Sequence, residues 1–266
     1  MKAMLIDTTK CIGCRACQVA CKSWNNLQGE TTRFSETWSN PRYLDADNYT
    51  RIIFREIATP HGEIHWHFIS RRCLHCLTPA CASACPVGAL KKLPEGPVVY
   101  NDEACIGCRY CMMACPFQIP KFEWSKAIPL IRKCTFCADR QAQNQEPACS
   151  ATCPTGSLLF GDREALLKEA HRRIGMHPGR YVPGVYGEKT GGGTCKIYLT
   201  GATFETLGLE HRGFRTDLGD YPQGLYGREW MAKVPWVAAA VGGLCTGLYY
   251  LNKRRGDVQA YTGKED

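Results

Sequence analysis

Cys105-Ile106-Gly107-Cys108-Arg109-Tyr110-Cys111-Met112-Met113-Ala114-Cys115-Pro116 decides how the rest of the chain is read. Three thiols stand three residues apart, and a fourth follows four residues later, directly before a proline. The same plan occurs at Cys11, Cys14, Cys17 and Cys21. Two looser copies lie between and beyond: Cys73, Cys76, Cys81 and Cys85, with four residues in the second gap, and Cys134, Cys137, Cys149 and Cys153, with eleven. Pro86, Pro116 and Pro154 close three of the groups, whereas the first ends in Cys21-Lys22. Sixteen of the 18 cysteines are thereby placed in four quartets.

The spacing selects the chemistry. A tight C-x-x-C-x-x-C loop wraps three corners of a 4Fe-4S cubane with backbone amides directed at the sulfides, and the fourth thiolate comes from elsewhere. In two-cluster ferredoxins the last cysteine of each run, set before proline, ligates the other cluster. Tetrahedral zinc also uses C-x-x-C pairs, but a third cysteine three residues on crowds one loop beyond what separate zinc sites need. Cysteines three apart on a short loop also rarely meet the separation and direction of a disulfide. No C-x-x-C precedes a histidine, so covalent c-type haem is not indicated. Phosphate-cradling loops are missing too, and Thr190-Gly191-Gly192-Gly193-Thr194 reads as a flexible turn. His61, His65, His67 and His75 read as surface or packing histidines, and Cys195 and Cys245, outside the quartets, as inert small hydrophobes.

Composition agrees. With 266 residues and 44% hydrophobic content the chain can bury a core and does not need a disulfide scaffold. The 33 Lys and Arg against 25 Asp and Glu give +8. That count treats cysteines as neutral, yet each cubane with four thiolates carries about −2, so four contribute about −8. Lys10, Arg15, Lys22, Arg71, Arg72, Arg109, Arg132 and Lys133 beside the cysteines therefore read as compensation, and no nucleic-acid partner is expected. Met1–Lys10 shows no pattern of a cleavable signal peptide, so export would be borrowed from a partner.

Around the quartets, residues 51–54 and 64–69 read as paired strands joined by a turn at Pro60-His61-Gly62. Short strands are expected at 97–100, 157–160 and 195–199. Asp162 can cap a helix whose apolar stripe is Ala165, Leu166, Ala170 and Ile174, with Lys168, Arg172 and Arg173 toward its end. Residues 175–230, rich in Gly, Pro and Tyr, read as an extended partner-binding arm without a core of its own, draped over a partner or over the cluster body. Residues 234–251 hold no charge and, at about 1.5 Å per residue, form a helix of roughly 27 Å, enough for a single membrane span within 231–252. Trp230, Trp236, Tyr249 and Tyr250 suit its interfaces, and Ala239, Gly243 and Gly247 would let another helix approach. Lys253, Arg254 and Arg255 bias the tail, 253–266, toward the cytoplasm and the cluster body toward the periplasmic side of an inner membrane.

The runs from Cys11 to Cys21 with Trp24-Asn25, from Gly107 to Phe117, and Ile131-Arg132-Lys133-Cys134-Thr135-Phe136-Cys137 resemble the four-cluster iron-sulfur subunits of molybdenum or tungsten oxidoreductases, in particular the formate dehydrogenase beta subunit. Hydrogenase-associated ferredoxin-like subunits share the same cysteine plan. The resemblance implies an α+β fold: two ferredoxin-like two-cluster modules within a body at 1–174, the second inserted at about 73–120, then the arm and one C-terminal transmembrane helix. It implies four 4Fe-4S clusters, with iron held by Cys11, Cys14, Cys17 and Cys153; by Cys134, Cys137, Cys149 and Cys21; by Cys73, Cys76, Cys81 and Cys115; and by Cys105, Cys108, Cys111 and Cys85. A catalytic molybdopterin-type subunit would face the first module, and a membrane cytochrome b or other quinone-reactive subunit the second. The chain would carry single electrons between them and catalyse no bond chemistry of its own.

Overall fold

The computed structural model describes residues 1–34, 36–58, 62–209 and 223–262; side chains are described to Leu209 and again over 233–258. Its central sheet has the order β8-β1-β9. Strand β1, Lys2–Asp7, runs antiparallel to β8, Leu158–Asp162, and parallel to β9, Lys196–Leu199. Ala3, Met4, Leu5 and Ile6 are essentially inaccessible, so both faces of β1 are covered. A continuous apolar run is what a strand buried on both faces requires.

The first quartet begins after β1 and continues into α1, Ala16–Trp24. The expected hairpin follows: β2, Thr50–Ala58, pairs antiparallel with β3, Ile64–Arg72, and Ile53 faces Ile69. Most of its expected turn, Pro60 and His61, lies outside the described residues.

A second, smaller module comes next. It holds α2, Ala80–Ser83; β4, Leu90–Lys92, paired with β5, Val98–Tyr100; α3, Tyr110–Ala114; and β6, Lys121–Phe122, paired with β7, Ile131–Arg132. The chain then returns to the first module through α4, Ala138–Ala142, α5, Ala148–Ala151, and β8. Proline explains why the helices differ in length. Cys115-Pro116 stops α3 at Ala114, because the residue before proline is disfavoured in helical conformation, whereas Cys21-Lys22 lets α1 run on to Trp24.

Several expectations need correction. Of the two placements expected for the arm, residues 175–209 take the one on the cluster body, and as part of its core: β9 pairs with β1, and Cys195, Ile197, Tyr198 and Leu199 are buried, so the body extends past 174. Thr190–Gly192 forms a 3-10 turn fixed against the second quartet, where the Leu77 amide donates to the Gly193 carbonyl at 3.0 Å, so it is not a flexible turn. The rest of the expected arm through 222 lies outside the described residues. In α6, Arg163–Met176, Leu167 replaces the exposed Ala165 in the buried stripe, beside Leu166 and Ala170. Asp162 precedes that helix without a side-chain cap bond and instead pairs with Lys2 at 3.1 Å.

The last helix, α7, Gln223–Thr262, is longer than the expected 231–252, because nothing after Leu251 breaks it. Lys253, Arg254 and Arg255 continue the helix, and only 263–266 of the tail lie outside the described residues. Pro235 lies inside it and removes one backbone donor. Among the described residues, Lys233–Val258 is the one stretch long and apolar enough to cross a membrane. The helix contacts α2 of the second module.

Candidate iron-sulfur centre

The repeat in the sequence is also a repeat in the backbone. In each of the four C-x-x-C turns the residue before the second cysteine has a left-handed conformation: Gly13 and Gly107 at φ 69°, His75 at 49° and Phe136 at 60°. Arg15 and Arg109, at equivalent positions, have φ 62° and 63° and lead into α1 and α3. This turn directs amides at sulfur. Gly107 N–H donates to Cys105 Sγ at 3.4 Å and Phe136 N–H to Cys134 Sγ at 3.4 Å; outside these turns, the Ala89 amide donates to Cys85 Sγ at 3.2 Å.

The quartets gather crosswise. Helix α1 packs on α5, and α2 on α3, so the first group meets the fourth and the second meets the third. Burial raises the Cys11 thiol above its ordinary value, the Gly13 amide opposes this, and Cys17, Cys153 and Cys14 add to the rise. One cavity is lined by those four cysteines, and another by Cys85, Cys105, Cys108 and Cys111. Cys21 is pushed up to about 12 by burial and then by Cys134 and Cys149, and Cys137 to about 11 by burial and Cys134. Cys76 is raised by burial, then by Cys73, Cys115 and Cys81. Cys111 reaches about 11 through burial, Cys108, Cys85 and Cys105. All sixteen cysteines thus lie in four neighbourhoods, while Cys195 and Cys245 lie outside them.

These neighbourhoods fit a multi-atom inorganic core. Among the described residues, no three His, Cys, Asp or Glu side chains converge to hold a single ion. Thiols raised this far are protonated near neutrality, and a cluster recovers them as thiolates by displacing the protons.

Charge compensation is more selective than the sequence suggests. Of the eight expected cations, Arg72 and Lys133 are buried near sulfur. Burial pulls the Arg72 guanidinium down, but Cys149, Cys17 and Cys134 outweigh it and hold it above its ordinary value. Lys133 donates to the carbonyls of Val98 and Cys134. Five of the others serve elsewhere: Arg15 lies 4.8 Å over Phe54, Arg109 5.5 Å over Phe122, Arg132 pairs with Glu123 at 2.8 Å, Arg71 bonds the Gly208 carbonyl at 2.9 Å, and Lys22 that of Gln28 at 2.7 Å. Two residues at the sulfurs were missed. Lys196, fully buried on β9, places Nζ 3.3 Å from Cys134 Sγ. His75, read as an ordinary histidine, is fully buried with Nε2 3.5 Å from the same sulfur. Its place in a C-x-x-C turn, at a position that is Gly in two of the other three turns, is the one signal that could have found it.

Models of the 4Fe-4S dicluster domain match residues 10–89 and 64–163. A protein of Nitratidesulfovibrio vulgaris is 42% identical over 260 residues, covering 97% of this chain and 68% of its own. The nitrate-inducible formate dehydrogenase iron-sulfur subunit of Escherichia coli K12 is 40% identical over 200 residues, covering 74% and 67%. The hydrogenase-2 operon protein HybA of Escherichia coli O157:H7 is 37% identical over 242 residues, covering 77% and 72%. The chain belongs to the family of 4Fe-4S dicluster iron-sulfur subunits. Two dicluster domains supply four 4Fe-4S clusters. In this dicluster subunit the matched segments follow the chain, whereas the thiol neighbourhoods join its first group to its fourth.

Proposed function

We propose that the sixteen cysteines are the ligands of four cubanes, shared crosswise in the quartets given above, and that the chain carries single electrons between a catalytic subunit and a membrane-bound acceptor. The thiol neighbourhoods support the ligand sets, since each C-x-x-C loop has as neighbour the last cysteine of its partner group. Bound clusters supply reversible one-electron storage. The chain's own residues position the thiols, exclude water and offset charge.

The observation that carries the relay is the order of the quartets in space. Arg72 and Cys134 neighbour the first module's thiols, and Cys134 also neighbours Cys73 of the second, so the inner quartets adjoin one another. Beyond them, the loops of the first and third groups carry Ile12, 60% exposed, and Ile106, 65% exposed.

The catalytic partner is read as a formate-oxidising molybdopterin-type subunit at the first module, on the strength of the formate dehydrogenase relatives. At the second module the acceptor is read as a cytochrome b or other quinone-reactive subunit, because α7 contacts α2 there. Helix α7 is a single-pass inner-membrane anchor, with the cluster body periplasmic and 253–266 cytoplasmic. Its exposed Trp236, Val237, Val241, Leu244 and Leu248 would face lipid or another helix. HybA favours a second reading, in which the catalytic partner is a hydrogenase. Affinity purification from detergent-extracted membranes distinguishes them: a molybdenum- or tungsten-containing partner that reduces dye with formate supports the first, and a nickel-containing partner that does so with hydrogen supports the second. Digestion of the body by protease in spheroplasts, with protection in inverted vesicles, is expected from the stated sidedness; the reverse pattern would overturn it.

A further inference from the structure

Of the four C-x-x-C turns, two use Gly at the left-handed position and two do not. The exceptions are His75 and Phe136, and they meet: their rings stack at 4.9 Å with 26° between planes. Bulky residues are held in this conformation only where the surroundings impose it. Here the surroundings are the junction between the modules. His75 belongs to the Cys73-to-Cys76 turn of the second module, yet its side chain reaches Cys134 of the first.

Hydrogen bonding fixes the ring. Val98 N–H donates to Nδ1 at 2.9 Å, so Nδ1 is the acceptor and the ring proton is on Nε2. Nε2–H then points at Cys134 Sγ at 3.5 Å. The His75 carbonyl accepts from Lys92 Nζ at 3.2 Å and from Cys195 N–H at 3.1 Å, which holds the turn in place. Lys196 completes the set. Its backbone is fixed by register with Met4, its Nζ lies 4.6 Å over the Phe136 ring, and it donates to the same sulfur at 3.3 Å. With the Phe136 amide, Cys134 Sγ receives three donors, one of them an ammonium. Cys105 and Cys85 each receive one backbone amide.

We infer that Lys196 and His75 set the reduction potential of the inner cluster bound by Cys21, Cys134, Cys137 and Cys149, shifting it upward. The inference rests on the ligand reading above. Adding one electron makes a cluster more negative by one charge with no bond made or broken. Donors and a cation at a ligand sulfur stabilise that added charge, and burial from water prevents screening. Lys196 and His75 are positioning residues in this sense: they touch a ligand and tune what it holds.

The test is a redox titration of the full chain in its extracted complex, followed by electron paramagnetic resonance. Lys196→Met is expected to lower the midpoint of one signal by about tenfold in reduction equilibrium, or about 59 mV for a one-electron couple, leaving the other three in place. Lys196→Arg should restore most of it. His75→Gly, whose backbone conformation the sister turns already adopt with glycine, should lower the same signal by a smaller amount. Midpoints equal to native in both variants, an upward shift, or an equal fall of all four would overturn the inference. If Lys196→Met loses the cluster, His75→Gly decides alone. Native protein with fewer than four cluster signals would sink the ligand reading itself, whereas four native signals that no variant shifts would sink only this one.

Discussion

The two modules bind the same number of cysteines with very different amounts of protein. The first is built around the β8-β1-β9 sheet and a large core in which Met4, Leu5, Ile6, Ile197 and Leu199 meet α6. The second has one small buried cluster of its own, Cys81, Leu90, Val98, Cys111 and Ile131, while its Leu74, Phe117 and Ile119 are buried in the first module's core, and its strands are two- and three-residue ribbons. Two of its five buried core residues are themselves thiols of the quartets. That cluster by itself cannot offset the ordering entropy of about sixty residues, at roughly 1–2 kcal/mol each. The first module is held chiefly by packing, the second by what its cysteines bind and by the few side chains it lends to the first module's core.

The largest expected consequence is on cluster removal. Chelation under reducing conditions should abolish amide protection throughout residues 80–132 while β1, β8 and β9 stay protected; hydrogen exchange with mass spectrometry reads both. Equal loss in both modules would break the comparison. Next in size is Leu5→Ala, which leaves a cavity in the sheet core and should cost about 2–5 kcal/mol in denaturant unfolding of the first module, with iron retained by the second.

A smaller effect is expected at Glu123, whose 6% exposed side chain receives Lys126 Nζ at 2.7 Å and Arg132 Nε at 2.8 Å and ties β6 to β7. Glu123→Gln should cost about 1–3 kcal/mol in the second module. Burial pushes this carboxyl up, but Lys126, Arg132 and the Leu130 amide outweigh it, so it titrates below its ordinary 4.5. A depressed folded value means that the stabilisation is present above the unfolded value and lost as pH falls through the folded one. Native protein should therefore lose this contribution below about pH 4.5, and Glu123→Gln should lose less over the same interval.

The smallest expected effect compares two glycines. A Cβ on Gly13 would stand 2.8 Å from Phe68, whereas on Gly107 the nearest atoms of Phe122 are 3.9 Å away. Both share the strain of φ 69°, about 1–2 kcal/mol for a non-glycine residue, so Gly107→Ala measures that strain alone and Gly13→Ala adds the clash. Cluster content after thermal challenge should fall further in Gly13→Ala.

Much of this was legible in the residues. Thiol spacing is local, so the four quartets could be read directly, and the β2–β3 hairpin followed from its paired apolar runs. What escaped depends on contacts remote in sequence. Nothing near Lys196 announces that it pairs with Met4 or reaches Cys134, and a Gly-rich approach made β9 look like part of an arm. The shift from Ala165 to Leu167 in α6 shows the same limit, because the sheet decides which flank of the helix is covered. Compensating cations were over-counted for a related reason: proximity in sequence to a cysteine says nothing about which way a long side chain turns.

The central claim is that sixteen thiols enclose four sulfide-bearing cores. Iron and acid-labile sulfide determined on anaerobically purified chain test it most directly: about sixteen of each per polypeptide are expected, with reduced protein giving cluster resonances. Colourless protein with about four zinc ions and no sulfide would contradict it.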